Sequence, residues 1–176
     1  TFSDTKLSLL LTGQQGDVMK ESMQCAKTIA WNLIPNTIKK KINDDWKKNT
    51  NWGIHIHCPE AAVPKDGPSA GGAITLAIVS LLIQIPVKNT IALTGEIDLN
   101  GSIHAIGGLD NKIEGGKLAG VKTILYPKDN EQDIDIIRNK NKSILENIDI
   151  RPVQTIWDIL DICLEDNDIK FNNYIM

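Results

Sequence analysis

The sequence predicts a mixed α+β fold, one domain in which helices pack on a mixed sheet. Three observations carry this. With 176 residues, 41% apolar and 23% charged, the chain is long enough for one core and has a globular composition. Stretches with strand-like alternation and stretches with helical recurrence intermingle along its whole length. No internal repeat, low-complexity block or linker divides it.

TKLSLLLTG (5–13) alternates and ends in Gly, as a strand does. Asp17 then offers an N-cap, and Val18, Met19, Met23, Ala26, Ile29, Ala30 and Leu33 recur at helical spacing until Pro35. Ile38, Ile42 and Trp46 repeat every four residues among Lys and Asp, the pattern of a short surface helix before a turn at NTNWG. GIHIHCP (53–59) reads as a strand, followed by the proline-rich loop PEAAVPKDGP.

SAGGAITLAIVSLLIQ (69–84) is apolar on nearly all sides and predicts a buried helix. TIALTGEI (90–97) and SIHAI (102–106) predict strands joined by a turn at LNG. LDNKIEGGKLAG (109–120) predicts a helix despite Gly115 and Gly116. VKTILYP is a strand closed by Pro127, EQDIDIIRNK a helix, and NIDIRPV contains a short strand. TIWDILDICLED is an amphipathic helix.

Bulk properties narrow the function. A net charge of −3 argues against nucleic acid or an acidic membrane surface as the main partner, and no apolar run is long enough to span a bilayer. The N-terminus TFSDTKLSLLL has neither a basic n-region nor an initiator Met, and reads as a piece of a longer chain. Cys25, Cys58 and Cys163 form no C-x-x-C, so they predict a reducing compartment and three small buried hydrophobes, not a disulfide or zinc framework. His55 and His57 share one face of a strand without an evident third ligand, so no metal site is expected.

The most informative stretch is PKDGPSAGG (64–72). Gly67 and Gly72 have the spacing of a phosphate loop, but Ala73 stands where its lysine must be. Gly67–Gly71 also fits G-x-S-x-G, the nucleophile elbow. That motif needs a strand before the serine, which PKDGP does not supply, and only Asp98 and His104 are placed as partners. The third reading is a serine at a helix N-terminus with a lysine as its base. Pro68 is tolerated there, and the free amides of Ser69 and Ala70 could hold an oxyanion. A serine alone is a poor nucleophile at neutral pH, so a base must come from elsewhere in the chain. Taken singly, Ser69 is more often a helix cap, Lys112 a surface lysine, and Asp66 a turn former.

PKDGPSAG resembles the segment around the catalytic serine of the proteolytic domain of Lon proteases, ATP-dependent serine peptidases with a Ser–Lys dyad. LTGQQGDVMKES (11–22), GIHIHCPEAAVPKDGPSAG (53–71), ALTGEIDLNGSIHAIGGLDNKI (92–113) and AGVKTILYPKDN (119–130) resemble further segments of that domain in the same order. The resemblance covers roughly residues 7 to 165 and implies that residues 1–176 are one Lon-type proteolytic domain, without the family's ATPase module. It implies Ser69 as nucleophile, Lys112 in GGLDNK as general base, and Thr94 as a hydroxyl that holds the lysine amine. It places Asp66 close to the dyad, where pairing with the lysine would suppress activity. A lysine has a reference pKa near 10.4, so it accepts a proton at neutral pH only if burial lowers that value by about two to three units. Asp110 and Asn111 stand where the family often has basic or apolar residues.

The implied activity is hydrolysis of unfolded or damaged protein, bound in extended form, with no cofactor in this domain; ATP and Mg would serve the absent AAA+ module. The implied partners are unfolded protein substrates and five further copies in a homo-hexamer, with neither membrane nor nucleic acid. The implied location is intracellular: the bacterial cytoplasm, or the mitochondrial matrix in a eukaryote. The alternative is a Lon-like scaffold or binding domain without proteolysis.

Overall fold

A computed structural model of the chain describes residues 7–48, 53–60, 62–165 and 168–171. In chain order the elements are β1 (Ser8–Thr12), α1 (Asp17–Leu33), α2 (Asn36–Lys48), β2 (Gly53–His57), α3 (Gly71–Ile83), β3 (Ile91–Leu93), β4 (Glu96–Ile97), β5 (Ile103–His104), α4 (Leu109–Leu118), β6 (Thr123–Pro127), α5 (Glu131–Lys140), β7 (Asp149–Val153) and α6 (Ile156–Cys163). Short 3-10 turns occupy Lys128–Asn130 and Lys142–Leu145. The class is the mixed α+β one that the patterning predicts. The turn expected at NTNWG, and residues 5 and 6 of the first strand, lie largely or wholly outside the described residues.

The strands form three ladders in place of one mixed sheet. β1 and β2 pair in parallel, with Ser8 opposite Gly53 and Thr12 opposite His57. β3, β6 and β7 form a parallel sheet in the order β3-β6-β7. β4 and β5 make a small antiparallel hairpin. Parallel neighbours need long crossovers, and here helices supply them: α1 and α2 between β1 and β2, α5 between β6 and β7.

The segment 90–97, expected as one strand, divides at Thr94 and Gly95. The Gly95 N–H goes to the Ser69 carbonyl at 2.8 Å and its carbonyl accepts from Gly72 N at 3.1 Å. Both polar groups of Gly95 are thereby drawn out of the ladder toward the loop that holds Ser69.

α1 begins one residue earlier than expected. Gly16 is the N-cap, and Asp17 is the first helical residue, paired with Lys20 at 3.2 Å. Met23, Ala26, Ile29, Ala30 and Leu33 point into the core, each with no exposed surface. Burial of the larger ones contributes about 1.5–3 kcal/mol apiece. α2 has no buried residue; Ile38, Ile42 and Trp46 are half-buried against the core, and Trp46 stacks on Trp31 with ring centres 5.6 Å apart.

α3 starts at Gly71 and packs chiefly on α1, but it is not buried all round. Thr75, Leu76, Ile78 and Val79 face the core while Leu81 is 64% exposed. α6 is closed at its start by a capping box, Thr155 Oγ1 accepting from Asp158 N and Asp158 Oδ2 accepting from Thr155 N.

The interior has two parts. The larger cluster joins α1, α3 and α6 with residues such as Ile97, Ile103, Leu125 and Val153. A smaller one joins α4, β6 and α5 through Leu109, Ile113, Ile124, Tyr126, Ile134 and Ile137. Of the three cysteines only Cys163 is fully buried, and burial pushes its thiol up to about 11; Cys25 and Cys58 are half-buried.

Candidate active site

Ser69 and Lys112 are 43 residues apart in sequence and are carried by different clusters, yet they meet. Lys112 Nζ lies 3.3 Å from Ser69 Oγ and donates to it. They share a cavity of about 190 Å³ lined also by Ala70, Ala73, Ala92, Leu93, Thr94 and Ile124. Apart from the two dyad groups and the Thr94 hydroxyl, its side chains are small or aliphatic.

Ser69 is placed by its backbone. It sits two residues before the first helical residue of α3, whose N-cap is Ala70. Its carbonyl accepts from Gly95 N at 2.8 Å and from Thr94 Oγ1 at 3.2 Å. No side chain caps α3, so the ordinary capping role of a serine here is not taken up, and its hydroxyl points to the lysine. Gly71 N is spent on Pro68 O and Gly72 N on Gly95 O. Neither the Ser69 nor the Ala70 amide donates to a backbone acceptor among the described residues. Those two N–H groups stand at the positive end of α3, where an anion is favoured.

The loop that delivers Ser69 is fastened at its other end by Asp66. The carboxylate Oδ1 accepts from Met19 N at 2.9 Å and from Gly67 N at 3.0 Å. Met19 is in the first turn of α1, so Asp66 satisfies one of that helix's unpaired amides from 47 residues away. Gly16 N also donates to Lys65 O at 2.7 Å. A side chain at position 16 would collide with the Asp66 carboxyl group, so only glycine admits this approach. Asp66 thus holds α1 to the loop; the contact with the lysine that the resemblance implies is not made here.

Thr94 is 7% exposed and next to the dyad, but its hydroxyl goes to the Ser69 carbonyl, not to the lysine amine. It positions the serine's main chain. Lys112 departs from expectation too. α4 buries Leu109 and Ile113 beside it, but Lys112 itself is an exposed residue of this chain.

The other candidate groupings resolve into local structure. No strand precedes Ser69 in 62–68, as an elbow would need. Asp98 and His104 pair with each other at 2.9 Å across the β4–β5 hairpin. Burial raises the Asp98 carboxyl, but its bonds to His104, Ser102 N and Asn100 N outweigh this and hold it below the usual carboxylate range. His55 Nε2 and His57 Nδ1 both meet Thr12 Oγ1, at 2.9 and 2.8 Å. Among the described residues no group of three His, Cys, Asp or Glu is placed to hold a metal ion.

Sequence reasoning missed Gly95 and Gly16. Gly95 lay in a segment quoted for the resemblance, and Gly16 in another, but nothing in either spacing shows which distant backbone each one admits.

An α+β domain that presents a serine hydroxyl to a lysine amine, with unpaired amides at a helix N-terminus beside them, has the parts of a serine hydrolase of the Ser–Lys class. Comparison with known proteins narrows the class. Residues 1–166 match the family model of the Lon protease (S16) C-terminal proteolytic domain. The chain is 43% identical over 160 residues to a Lon protease of Vibrio parahaemolyticus, covering 91% of this chain and 19% of the relative. It is 45% identical over 161 residues to one from Buchnera aphidicola, covering 91% and 20%, and 39% identical over 173 residues to a Lon protease homolog of Acanthamoeba polyphaga mimivirus, covering 97% and 16%. The chain belongs to the Lon protease C-terminal proteolytic domain family, a family of serine peptidases. It spans about a fifth of the length of the curated relatives it matches.

Proposed function

We propose that this domain is the endopeptidase unit of an ATP-dependent protease, cutting unfolded or damaged polypeptide with Ser69 as nucleophile and Lys112 as general base. The observation that carries this reading is the 3.3 Å approach of Lys112 Nζ to Ser69 Oγ. Ser69 Oγ attacks the scissile carbonyl carbon as the amine of Lys112 takes its proton. The carbonyl oxygen becomes an oxyanion, which the Ser69 and Ala70 amides, donating to no backbone acceptor among the described residues, would hold. Lys112 then gives the proton to the leaving amine; in the second half it takes a proton from the attacking water and passes it to Ser69 Oγ as the acyl-ester bond breaks and the carboxylic product leaves.

Because Lys112 is exposed, the substrate has a second task in this scheme. A polypeptide laid across the 190 Å³ cavity excludes water from the amine at the moment it must act as base. Binding in extended form suits the parallel β1–β2 pair, whose outer edges carry no further strand among the described residues. Peptide hydrolysis of this kind needs no organic cofactor or metal, and ATP with Mg would act in a separate module. Assembly into a homo-hexamer would confine the sites to unfolded chains. The expected location is intracellular; no helix among the described residues is long and apolar enough to cross a membrane.

The test compares the full-length protein with Ser69→Ala and Lys112→Ala on a denatured protein substrate, with and without chelator present in the peptidase step. Both variants should lose at least about 10³-fold in kcat, and chelator should not matter to cleavage of a short peptide. Cleavage that persists in Ser69→Ala overturns the mechanism. A wild-type protein that neither cleaves nor takes a serine-directed covalent label supports the scaffold alternative.

A further inference from the structure

We infer that Asn130 is a positioning residue for the dyad lysine, acting through the main chain of Ile106; the inference rests on the Ser69–Lys112 reading above.

Asn130 occupies the N-cap position of α5, where an asparagine ordinarily accepts from an amide of the first helical turn. It does not do so: α5 has no side-chain cap. Its amide is turned instead across the fold to residue 106. Ile106 N donates to Asn130 Oδ1 at 3.0 Å, and Asn130 Nδ2 donates to Ile106 O at 2.8 Å. The two bonds reproduce the paired exchange of neighbouring strands, with a side chain standing in for a backbone. Asn130 is 2% exposed, and Nδ2 is also held by Asp133 Oδ2 at 2.6 Å, which fixes which end of the amide faces which group.

Ile106 is the last residue before the glycine pair that leads into α4. Gly107 has no atom within 4 Å of where a side chain would begin, and Gly108, at φ +67°, has only the Asn111 side chain at that limit. Gly108 is the N-cap of α4, and Lys112 N donates to its carbonyl at 3.2 Å. Between the Asn130 clamp and the lysine there are thus two unpacked glycines and one helical turn. With no side chain of their own to pack, the two glycines leave Ile106 as the nearest upstream residue whose main chain is tied to another element by side-chain hydrogen bonds among the described residues. Leu109 and Ile113 seat the buried face of α4 in the smaller cluster, but the level at which the chain enters the helix is set at Ile106. Lys112 itself is exposed, so little packing corrects an error in the position of its Cα.

The test is a double-mutant cycle in the full-length protein, read as the rate at which a small fluorophosphonate labels Ser69 and as kcat and KM on a short peptide. Asn130→Ala should lower kcat and the labelling rate roughly 10- to 100-fold per active site titrated, with KM changed less than about 3-fold. In a Lys112→Ala background the same change should have no effect, because the group it positions is gone. Asn130→Asp keeps an acceptor for Ile106 N but loses the donor and sets a carboxylate against Asp133; it should behave like the alanine variant. Equal losses from Asn130→Ala with and without Lys112 would overturn the inference, as would a loss explained wholly by fewer labelled sites at unchanged rate. Those outcomes are separate from failure of the Ser69 mechanism, which the single Ser69 and Lys112 variants test with Asn130 intact.

Discussion

The two halves of the dyad are held in unlike ways. Ser69 opens α3, which lies against α1 and α6 in the larger core, and its carbonyl is gripped by Thr94 and Gly95. Lys112 rides on α4, a ten-residue helix with two buried residues on the smaller cluster, and reaches the serine over an exposed stem. The nucleophile's main chain is fixed by two bonds from adjacent residues, the Thr94 hydroxyl and the Gly95 amide. The base is placed by its helix and by the main chain that leads into it, and one bond of 3.3 Å joins the two. Stability resides chiefly in the first half, and sensitivity of activity to small displacements in the second.

Matched core truncations test that contrast most strongly. Leu76→Ala in α3 and Ile113→Ala in α4 each remove a side chain 3% or less exposed and should each cost about 2–5 kcal/mol. Thermal melting should show drops on the order of 10 °C in both. At a temperature where both variants remain folded, Ile113→Ala should lose most peptidase turnover and Leu76→Ala keep most of it. Equal losses would remove the distinction between the halves.

A smaller effect is expected at Thr94. Thr94→Val keeps the shape but leaves the Ser69 carbonyl with one donor, so unfolding free energy should fall by about 1 kcal/mol. If Thr94 acts on the serine, the loss of labelling rate should be the same with or without Lys112. If it acts on the lysine, the loss should vanish in Lys112→Ala.

The smallest effect lies outside both halves, in the β4–β5 hairpin. The folded pKa of Asp98 is below its unfolded value, so its bonds contribute stability that is complete above about pH 4 and is lost as pH falls through the folded value. Asp98→Asn should therefore flatten the acid limb of a stability–pH curve and leave turnover near neutral pH almost unchanged. A shift of the turnover profile would bring the hairpin into the site.

Most elements were legible in the sequence because they follow from period and punctuation. Val18 to Leu33 recur with helical spacing and stop before Pro35; VKTILYP ends at its proline; Gly115 and Gly116 did not prevent α4. The departures have physical causes. Apolar content in 69–84 could not show that Leu81 faces outward, since composition does not reveal which side a neighbour covers. The break after Leu93 depended on Gly95 serving a loop 26 residues upstream. At the site, Ser69 and Lys112 came from resemblance to a family, not from their spacing. The partners of Thr94, Asp66 and Asn130 were hidden because hydrogen-bond direction belongs to side-chain orientation, which no sequence period encodes.

The closeness of Gly16 to Asp66 makes position 16 an unexpected point of control. The residue lies 53 places upstream of the nucleophile and lines no part of its cavity. Yet a single added methyl group there would prise the KDG segment away from the start of the first long helix and carry the serine with it. An inactivating change that maps to this glycine would look remote and harmless in the linear chain, and its damage would be mechanical: a wedge driven between two segments whose contact sets the cutting edge.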